Sequence, residues 1–596
     1  MVHVKIKLYL RNCFKFFNEV FSMHYSGFVS MFLCLLVSGL LDGQEKSKYG
    51  SFAPPLDIPM LLSGNFGELR STHFHSGIDI KTQQQTGKNV YASKEGYVSR
   101  IKIQSGGYGK SVYLYHPEGY TTVYAHLNDF ITEIASYVKE IQYAQRKYEV
   151  NVFPEKYRIP VVKGQLIGHS GNTGYSGGPH LHYEIRDAGQ NPVNVLKYGF
   201  DIRDDIAPEI RRLAVYPVET GSIINGRNNK VVLNPVLING QYVLTDTLSA
   251  SGGAGFGIET YDYLNGTGNR CTVYSIELVV NGMVVYLHEM DKLSFGEMKY
   301  LNSHIDYEER ILNKLNIHKL FLDPNNGLGI YKKISNNGIV DFADDSVYHV
   351  RITVTDAYSN SASLSFRVYG EKPNHALLRI AADSSFVKPF YYNQDNAYQT
   401  PEIRIEIPRY ALYRDVDFKY AALRSDTLPY SDLHMVHSDL IPLCSSYRLS
   451  IKTRNIPADL SKKALIVSID RNNEMSVFGG IWQNGFVTAS VSCFGRFFVL
   501  VDTLAPSVKP VVFRANQSYK ANDDIAFEIT DDLSGLKSYN GYIDDEWALF
   551  EYDKKSNTLS YTIDGERLTA GIKHTLQIVV VDDRNNISVY KSTFYY

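Results

Sequence analysis

The chain has 596 residues, too many for one hydrophobic core, and at about 150 residues per domain it holds several. Its 44% hydrophobic and 21% charged residues are those of a folded soluble protein, and 45 Tyr with 29 Phe favour strands over helices. A formal charge of −2 excludes a general attraction to nucleic acid or anionic lipid, and 5 Cys in so long a chain exclude a disulfide framework.

Residues 1–43 read as an export signal, because Lys5, Lys7, Arg11 and Lys15 precede an apolar run, Phe28 to Leu41, that is too short for a comfortable membrane span. The mature chain then starts near Gln44. Met23 is an alternative start, and an uncleaved membrane anchor is the alternative fate. Cys34 lacks the small residues that a lipoprotein cleavage site prefers, while Cys271, Cys444 and Cys493 read as small buried apolar residues. Residues 44–60, with Pro54, Pro55 and Pro59, form an extended lead-in.

The first chemistry-bearing stretch is Thr72-His73-Phe74-His75-Ser76-Gly77-Ile78-Asp79, which puts a His and an Asp four apart around a glycine. That spacing can clasp one ion from a turn entering a strand. His73 shares a same-face spacing with His75 and is the competing ligand. Short β segments follow at Val90–Ala92, Gly96–Val98, Ser111–Tyr115 and Thr121–Tyr124, read as antiparallel sheet, with His126 directly after the last.

Residues 128–158 interrupt this pattern. Phe130, Ile134, Tyr137, Val138 and Ile141 fall on a helical stripe, so a helix of about four turns is expected, capped by Asn128 or Asp129. Its roles are open between a wall of a substrate groove, a docking surface and a structural embellishment. As a wall it would present Tyr137, Tyr143 and Tyr148 with Lys139, Arg146 and Lys147. Strands resume at Val161–Gly168. The glycine-rich turn after Gly171 then runs into His180-Leu181-His182-Tyr183-Glu184-Ile185, where strand alternation sends His180 and His182 to one face. His75, Asp79 and one of these His give three protein ligands, which with a water is what a catalytic zinc needs, whereas a structural zinc is closed by four ligands and no Cys lies near.

Residues 64–187 resemble the lysostaphin-like zinc endopeptidases of LytM type: HSGID matches that family's first metal motif, HLHYE its second, and TTVYAHL a third segment carrying a further histidine. The resemblance implies zinc on His75, Asp79 and His182, and leaves His126 and His180 as unliganded catalytic histidines. It implies an exported zinc metalloendopeptidase acting on peptides of bacterial cell-wall peptidoglycan, in the periplasm or cell envelope. The alternative is a non-catalytic envelope scaffold that binds wall peptides or a partner wall hydrolase; all five expected positions are filled, which favours the enzyme.

Beyond the peptidase-like stretch, Asp204-Asp205-Ile206-Ala207-Pro208 and Asp502-Thr503-Leu504-Ala505-Pro506 have one shape and mark domain boundaries. A second echo links Val350 to Asp356, with Asn360, to Leu576 to Asp582, with Asn586, and resembles the closing strands of immunoglobulin-like domains. The expected division is a peptidase domain at 44–203, a sandwich at 204–370, a β-rich region at 371–500 and a sandwich at 501–596. The fold class is mainly β, an antiparallel peptidase domain with a short helical insertion followed by two or three sandwiches. The repeated Asp and Asn could bind calcium, but with no dense Asp-x-Asp-x-Asp loop they read as turn caps. Trp482 and Trp547 could stack on sugars, but two tryptophans in so much β structure read as core. Residues 204–596 are expected to carry no chemistry and to offer envelope proteins a docking surface, with the membrane a partner only through an uncleaved signal.

Overall fold

Apolar alternation organises the first sheet. In the strand His180–Arg186, residues Leu181, Tyr183 and Ile185 are fully buried in one core, each worth about 1.5–3 kcal/mol of burial, while His182, Glu184 and Arg186 share the opposite face. A computed structural model describes residues 52–219, 221–372, 387–425 and 427–596; the expected export signal lies outside them. The strands used below are β1 (Ile78–Lys81), β2 (Lys110–Tyr115), β3 (Thr121–Phe130), β4 (Leu166–Ser170) and β5 (His180–Arg186).

The sheet has 11 strands, and its main path runs from Leu62–Gly64 through β1, β5, β3 and β2 to Gly96–Ile103 and Val150–Val152. All its pairings are antiparallel, so β5 lies between β1 and β3, where its register is fixed from both sides. Gly77, just ahead of β1, lets the chain pass close to β5: a Cβ there would sit 2.2 Å from the Tyr183 carbonyl oxygen.

The helical insertion is α1 (Thr132–Gln145), buried through Ile134, Val138 and Gln142. Its cap differs from expectation. Asn128 and Asp129 belong to β3, which runs on to Phe130, and Ile131 at the N-cap offers no side-chain bond. Three of the side chains expected on a groove wall are taken up elsewhere. Tyr143 packs edge-on against Trp547 with ring centroids 5.3 Å apart, the Arg567 guanidinium lies 3.5 Å from the Tyr143 ring centre, and Lys139 pairs with Asp564 at 2.8 Å. Tyr148 is buried in the core. The helix is therefore a seat for the last β region of the chain.

Strand makes up 47% of the structure and helix 8%, a mainly β protein. Residues 209–370 build a 13-stranded sheet, residues 396–501 two 5-stranded sheets sharing one core, and residues 507–595 two 4-stranded sheets sharing another. The first of these regions also holds helical turns at Phe295–Tyr300, Leu301–His304 and Tyr307–Asn313, which the sequence reading missed. Their signal was local: Asp306 caps the last by accepting from the Glu309 N–H at 3.0 Å, an Asp-x-x-Glu start. Both repeated turns are capped, since Asp356 Oδ1 accepts from the Tyr358 and Asn360 N–H groups and Asp582 Oδ1 from those of Arg584 and Asn586. Trp547 is buried, but Trp482 is 37% exposed on the edge strand Ile481–Gln483, where its indole N–H reaches only Thr453.

Candidate metal centre

The register of β1 on β5 sets Asp79 directly opposite His182, so their side chains rise from the same face. His75 comes in from the turn that precedes β1. Asp79 Oδ1 lies 2.9 Å from His182 Nδ1 and 3.0 Å from His75 Nε2, and the two ring nitrogens are 3.0 Å apart. Donors on one tetrahedral zinc lie about 3.3 Å apart, so the three atoms already surround the volume of one ion. All three residues are buried, whereas His73 is exposed beside Thr72 and stands outside the cluster.

Hydrogen bonds around the cluster decide which ring nitrogens carry lone pairs. His75 Nδ1 faces the Asn65 carbonyl at 2.7 Å, and a carbonyl only accepts, so Nδ1 holds the proton and Nε2 the lone pair. His182 Nε2 faces Glu184 Oε1 at 2.8 Å and holds its proton there, leaving the lone pair on Nδ1. When neutral, the two imidazoles turn their lone pairs toward the carboxylate and each other, which is the donor set of a cation site and fits zinc. Without a metal, protons take the place of the ion. Although burial works against it, the bonds to Asp79 and Glu184 push the His182 imidazole up to about 9; burial likewise opposes the charge on Asp79, but the three histidines hold it well below the usual carboxylate range.

Glu184 is the partner that sequence reading left without a role. Fully buried, it accepts from Ser76 Oγ at 2.6 Å, from the Tyr108 hydroxyl and from Arg186 Nε at 2.6 Å as well as from His182. Burial alone would raise its pKa, but Arg186 and His182 hold it low and charged. Arg186 is in turn stacked on Tyr113 and on Phe295, 4.6 Å from the latter's ring centre, so residues beyond the peptidase sheet support the cluster. The available signal was the alternation that pairs His180 with His182, continued to Glu184 and Arg186.

His126 does not follow a strand, as the sequence suggested, but sits within β3 at a bulge. Lys110 pairs with Leu127 and Val112 with Tyr124, so β3 carries one residue more than β2, and His126 takes a positive φ of 60°. The bulge turns the ring toward His180, with centroids 4.8 Å apart, and toward His182 at 5.8 Å. His126 Nδ1 donates to the Thr173 carbonyl at 2.7 Å and His180 Nδ1 to the Gly178 carbonyl at 2.8 Å, leaving Nε2 of each with its lone pair. His180 Nε2 is 3.4 Å from Asp79 Oδ1. Burial, then the neighbouring His182 and His180, push the His126 imidazole down to about 3.

A cavity of 510 Å³ opens on Asp79 and His180, with Arg70 and Lys81 on its walls and no residue of α1. Two larger cavities, of 1160 and 860 Å³, contain none of the five residues.

Residues 73–144 and 151–195 match the model of peptidase family M23, and residues 387–502 match that of a Zu5-like domain. Curated relatives include the DD-carboxypeptidase/endopeptidase Mpg of Neisseria meningitidis, 34% identical over 161 residues that cover 26% of this chain and 31% of that protein. The peptidoglycan DD-endopeptidase ShyA of Vibrio cholerae is 32% identical over 170 residues, 26% of this chain and 33% of that one. The chain thus spans about a third of the length of these relatives. Among solved structures, the catalytic domain of the antimicrobial peptidase lysostaphin from Staphylococcus simulans is 25% identical, covering 22% of this chain and 78% of that one, with a TM-score of 0.16. The chain carries a LytM-type domain of peptidase family M23, followed by a β-rich C-terminal region.

Proposed function

We propose that this protein is an exported zinc metalloendopeptidase that hydrolyses peptide bonds of bacterial cell-wall peptidoglycan, with His75, Asp79 and His182 holding the metal. The observation that carries the reading is the convergence of three lone pairs, on His75 Nε2, His182 Nδ1 and Asp79 Oδ1, inside a domain of a peptidase family. Two relatives named for endopeptidase activity, one of them on peptidoglycan, point to wall peptides as the substrate. Export rests on residues 1–43; among the described residues no helix is long and apolar enough to cross a membrane.

When bound, zinc supplies Lewis acidity toward a scissile carbonyl and toward water. His126 and His180 stand beside the cluster with Nδ1 held by a carbonyl, so the Nε2 of either is placed to take the proton that water releases on attack. Once protonated, the same Nε2–H donates to the tetrahedral oxyanion or to the leaving amine. Asn65, Gly178 and Thr173 carbonyls and the Glu184 carboxylate each lock one ring, so the four imidazoles need no reorientation during the reaction. Lys81 beside the cavity suits the free carboxylates of wall peptides, while Arg70 is paired with Asp79 and Glu68.

The test is digestion of purified sacculi by the zinc-loaded full chain, with mass analysis of the released fragments. Fragments that differ from the intact cross-linked peptides by one water, each with a new amine and a new carboxylate, are expected. A zinc-loaded protein that binds sacculi and releases nothing would favour the scaffold reading.

A further inference from the structure

Three carboxylates from distant segments meet where the peptidase sheet gives way to the next β region. Asp204 lies ahead of the strand Glu209–Pro217, Asp262 follows Leu248–Tyr261, and Asp356 follows Val347–Thr355; one oxygen from each lies within 4.8 Å of the others. Asp262 and Asp356 are each only 2% exposed. Part of this charge is answered locally. Asp356 accepts from the Tyr358 and Asn360 N–H groups at 2.8 and 2.9 Å and from Asn360 Nδ2 at 2.7 Å, and Asp204 Oδ1 accepts from the Ile206 N–H at 3.2 Å.

The rest is unanswered. Asp262 Oδ1 and Asp204 Oδ2 are buried oxygens with no hydrogen-bond partner, although an unpaired buried charge is among the costliest groups a fold can hold. Burial and then the adjacent Asp204 and Asp356 push the Asp262 carboxyl up to about 8, and burial also raises Asp204. Asp262 is thus a side chain only 2% exposed, with one unpartnered oxygen, beside two further carboxylates.

The chain contains its own comparison. Asp502, Asp531 and Asp582 form the same triangle at the later boundary, and Asn586 stands where Asn360 stands. There Asp531 Oδ1 is likewise without a partner, but the Lys463 ammonium donates to Asn586 Oδ1, placing a cation at the rim, and Asp502 Oδ2 accepts from the Ser534 N–H at 3.1 Å. Among the described residues no lysine or arginine pairs with Asp204, Asp262 or Asp356.

We propose that Asp204, Asp262 and Asp356 bind a hard divalent cation of the calcium class that fastens the peptidase domain to the β region behind it. An all-oxygen donor set selects such a cation over softer metals. At Ca–O distances of about 2.4 Å, ligands on one ion lie within about 5 Å of each other, which the observed span satisfies. Turn capping leaves room for this role: the Tyr358 and Asn360 N–H groups occupy both lone pairs of Asp356 Oδ1, but Oδ2 accepts only from Asn360 Nδ2 and keeps one. The location gives the ion its effect: Ala357 and Tyr358 pack against the peptidase core, and Asn360 Nδ2 donates to the Asp204 carbonyl at 3.2 Å. None of the three belongs to the His75, Asp79 and His182 cluster, and the proposal stands whether or not that cluster is catalytic.

The experiment is calorimetric titration of Ca²⁺ into the chelator-stripped full chain, with thermal unfolding in parallel. Saturable binding and a higher unfolding midpoint are expected. Asp262→Asn and, independently, Asp204→Asn on the more accessible linker should each weaken binding at least tenfold, while Asp531→Asn should leave this site unchanged. A wild-type chain that shows neither heat nor a midpoint shift at 10 mM Ca²⁺, on the order of a weak extracellular site, would overturn the proposal. So would undiminished binding in a folded Asp262→Asn or Asp204→Asn variant.

Discussion

Asn65 and Thr272 exchange two hydrogen bonds across 207 residues of chain: Asn65 Nδ2 donates to the Thr272 carbonyl at 2.8 Å, and the Thr272 N–H donates to Asn65 Oδ1 at 2.9 Å. The carbonyl of the same Asn65 receives His75 Nδ1. A residue far beyond the peptidase sheet therefore fixes the orientation of a proposed zinc ligand. Phe66 and Phe74, on either side of this segment, are buried with Met290, Leu293 and Leu301. Residues after 204 thus have a structural part in the site that the sequence did not suggest.

The first prediction follows from that pair. Asn65→Ala should lower zinc affinity by about 10- to 100-fold, the usual cost of losing a partner that orients a ligand. Competition against a chromogenic chelator measures it. A fragment ending near Tyr198 should show at least the same loss, since it would also expose Phe66 and Phe74. Wild-type affinity in both would make the Thr272 contact incidental.

Glu184→Gln removes a charge and leaves Arg186 buried without its partner. Breaking one side of a buried pair costs about 3–5 kcal/mol, so the unfolding midpoint of the peptidase domain should fall by several degrees. Replacing both residues, Glu184→Gln with Arg186→Met, should recover part of the loss. A single variant as stable as wild type would show that the pair is not electrostatically coupled.

A third prediction concerns acid. His288, His304 and His318 are buried together, with Tyr286 and Tyr331 hydroxyls on His288 and His304 and the Phe74 ring 5.8 Å from His304. Burial pushes His318 down to about 4 and holds His288 and His304 well below their ordinary value. Below about 6.5 the unfolded chain takes up protons that the folded chain does not, so stability falls as pH drops from 6.5 toward 4, by about 1.4 kcal/mol per pH unit for each histidine. Thermal midpoints between pH 7 and 5 should decline, and less steeply in His318→Gln. Equal slopes in the two proteins would assign acid sensitivity to other groups.

The contacts of α1 change what its removal should do. Tyr143→Ala loses Trp547 and Arg567 at once, and should leave turnover of small soluble peptides within about twofold while loosening the last β region. Limited proteolysis at the exposed Leu504 reads that loosening directly. Altered peptide specificity with unchanged proteolysis would restore a groove role for the helix.

What the sequence showed and what it hid follow from range. HSGID and HLHYE each place ligands within one turn or one strand, where spacing alone brings side chains to a common face. Alternation that pairs His180 with His182 also reaches Glu184 and Arg186, but only the folded sheet reveals that Ser76 and Tyr108 close around that carboxylate. His126 was mislocated because a bulge depends on the pairing of two strands and leaves no mark in one of them. Asn65 with Thr272, and Tyr143 with Trp547, are meetings of segments hundreds of residues apart, beyond any local pattern.

Metal content and turnover measured together on one series of full-length variants test the central claim most directly. His75→Ala, Asp79→Ala and His182→Ala should each lose zinc and activity, whereas His126→Ala and His180→Ala should keep one zinc per chain and lose activity on sacculi by about 10² or more. His73→Ala should keep both. Zinc lost with His73 and retained without His75, or zinc and activity falling in parallel across all five site variants, would contradict the account.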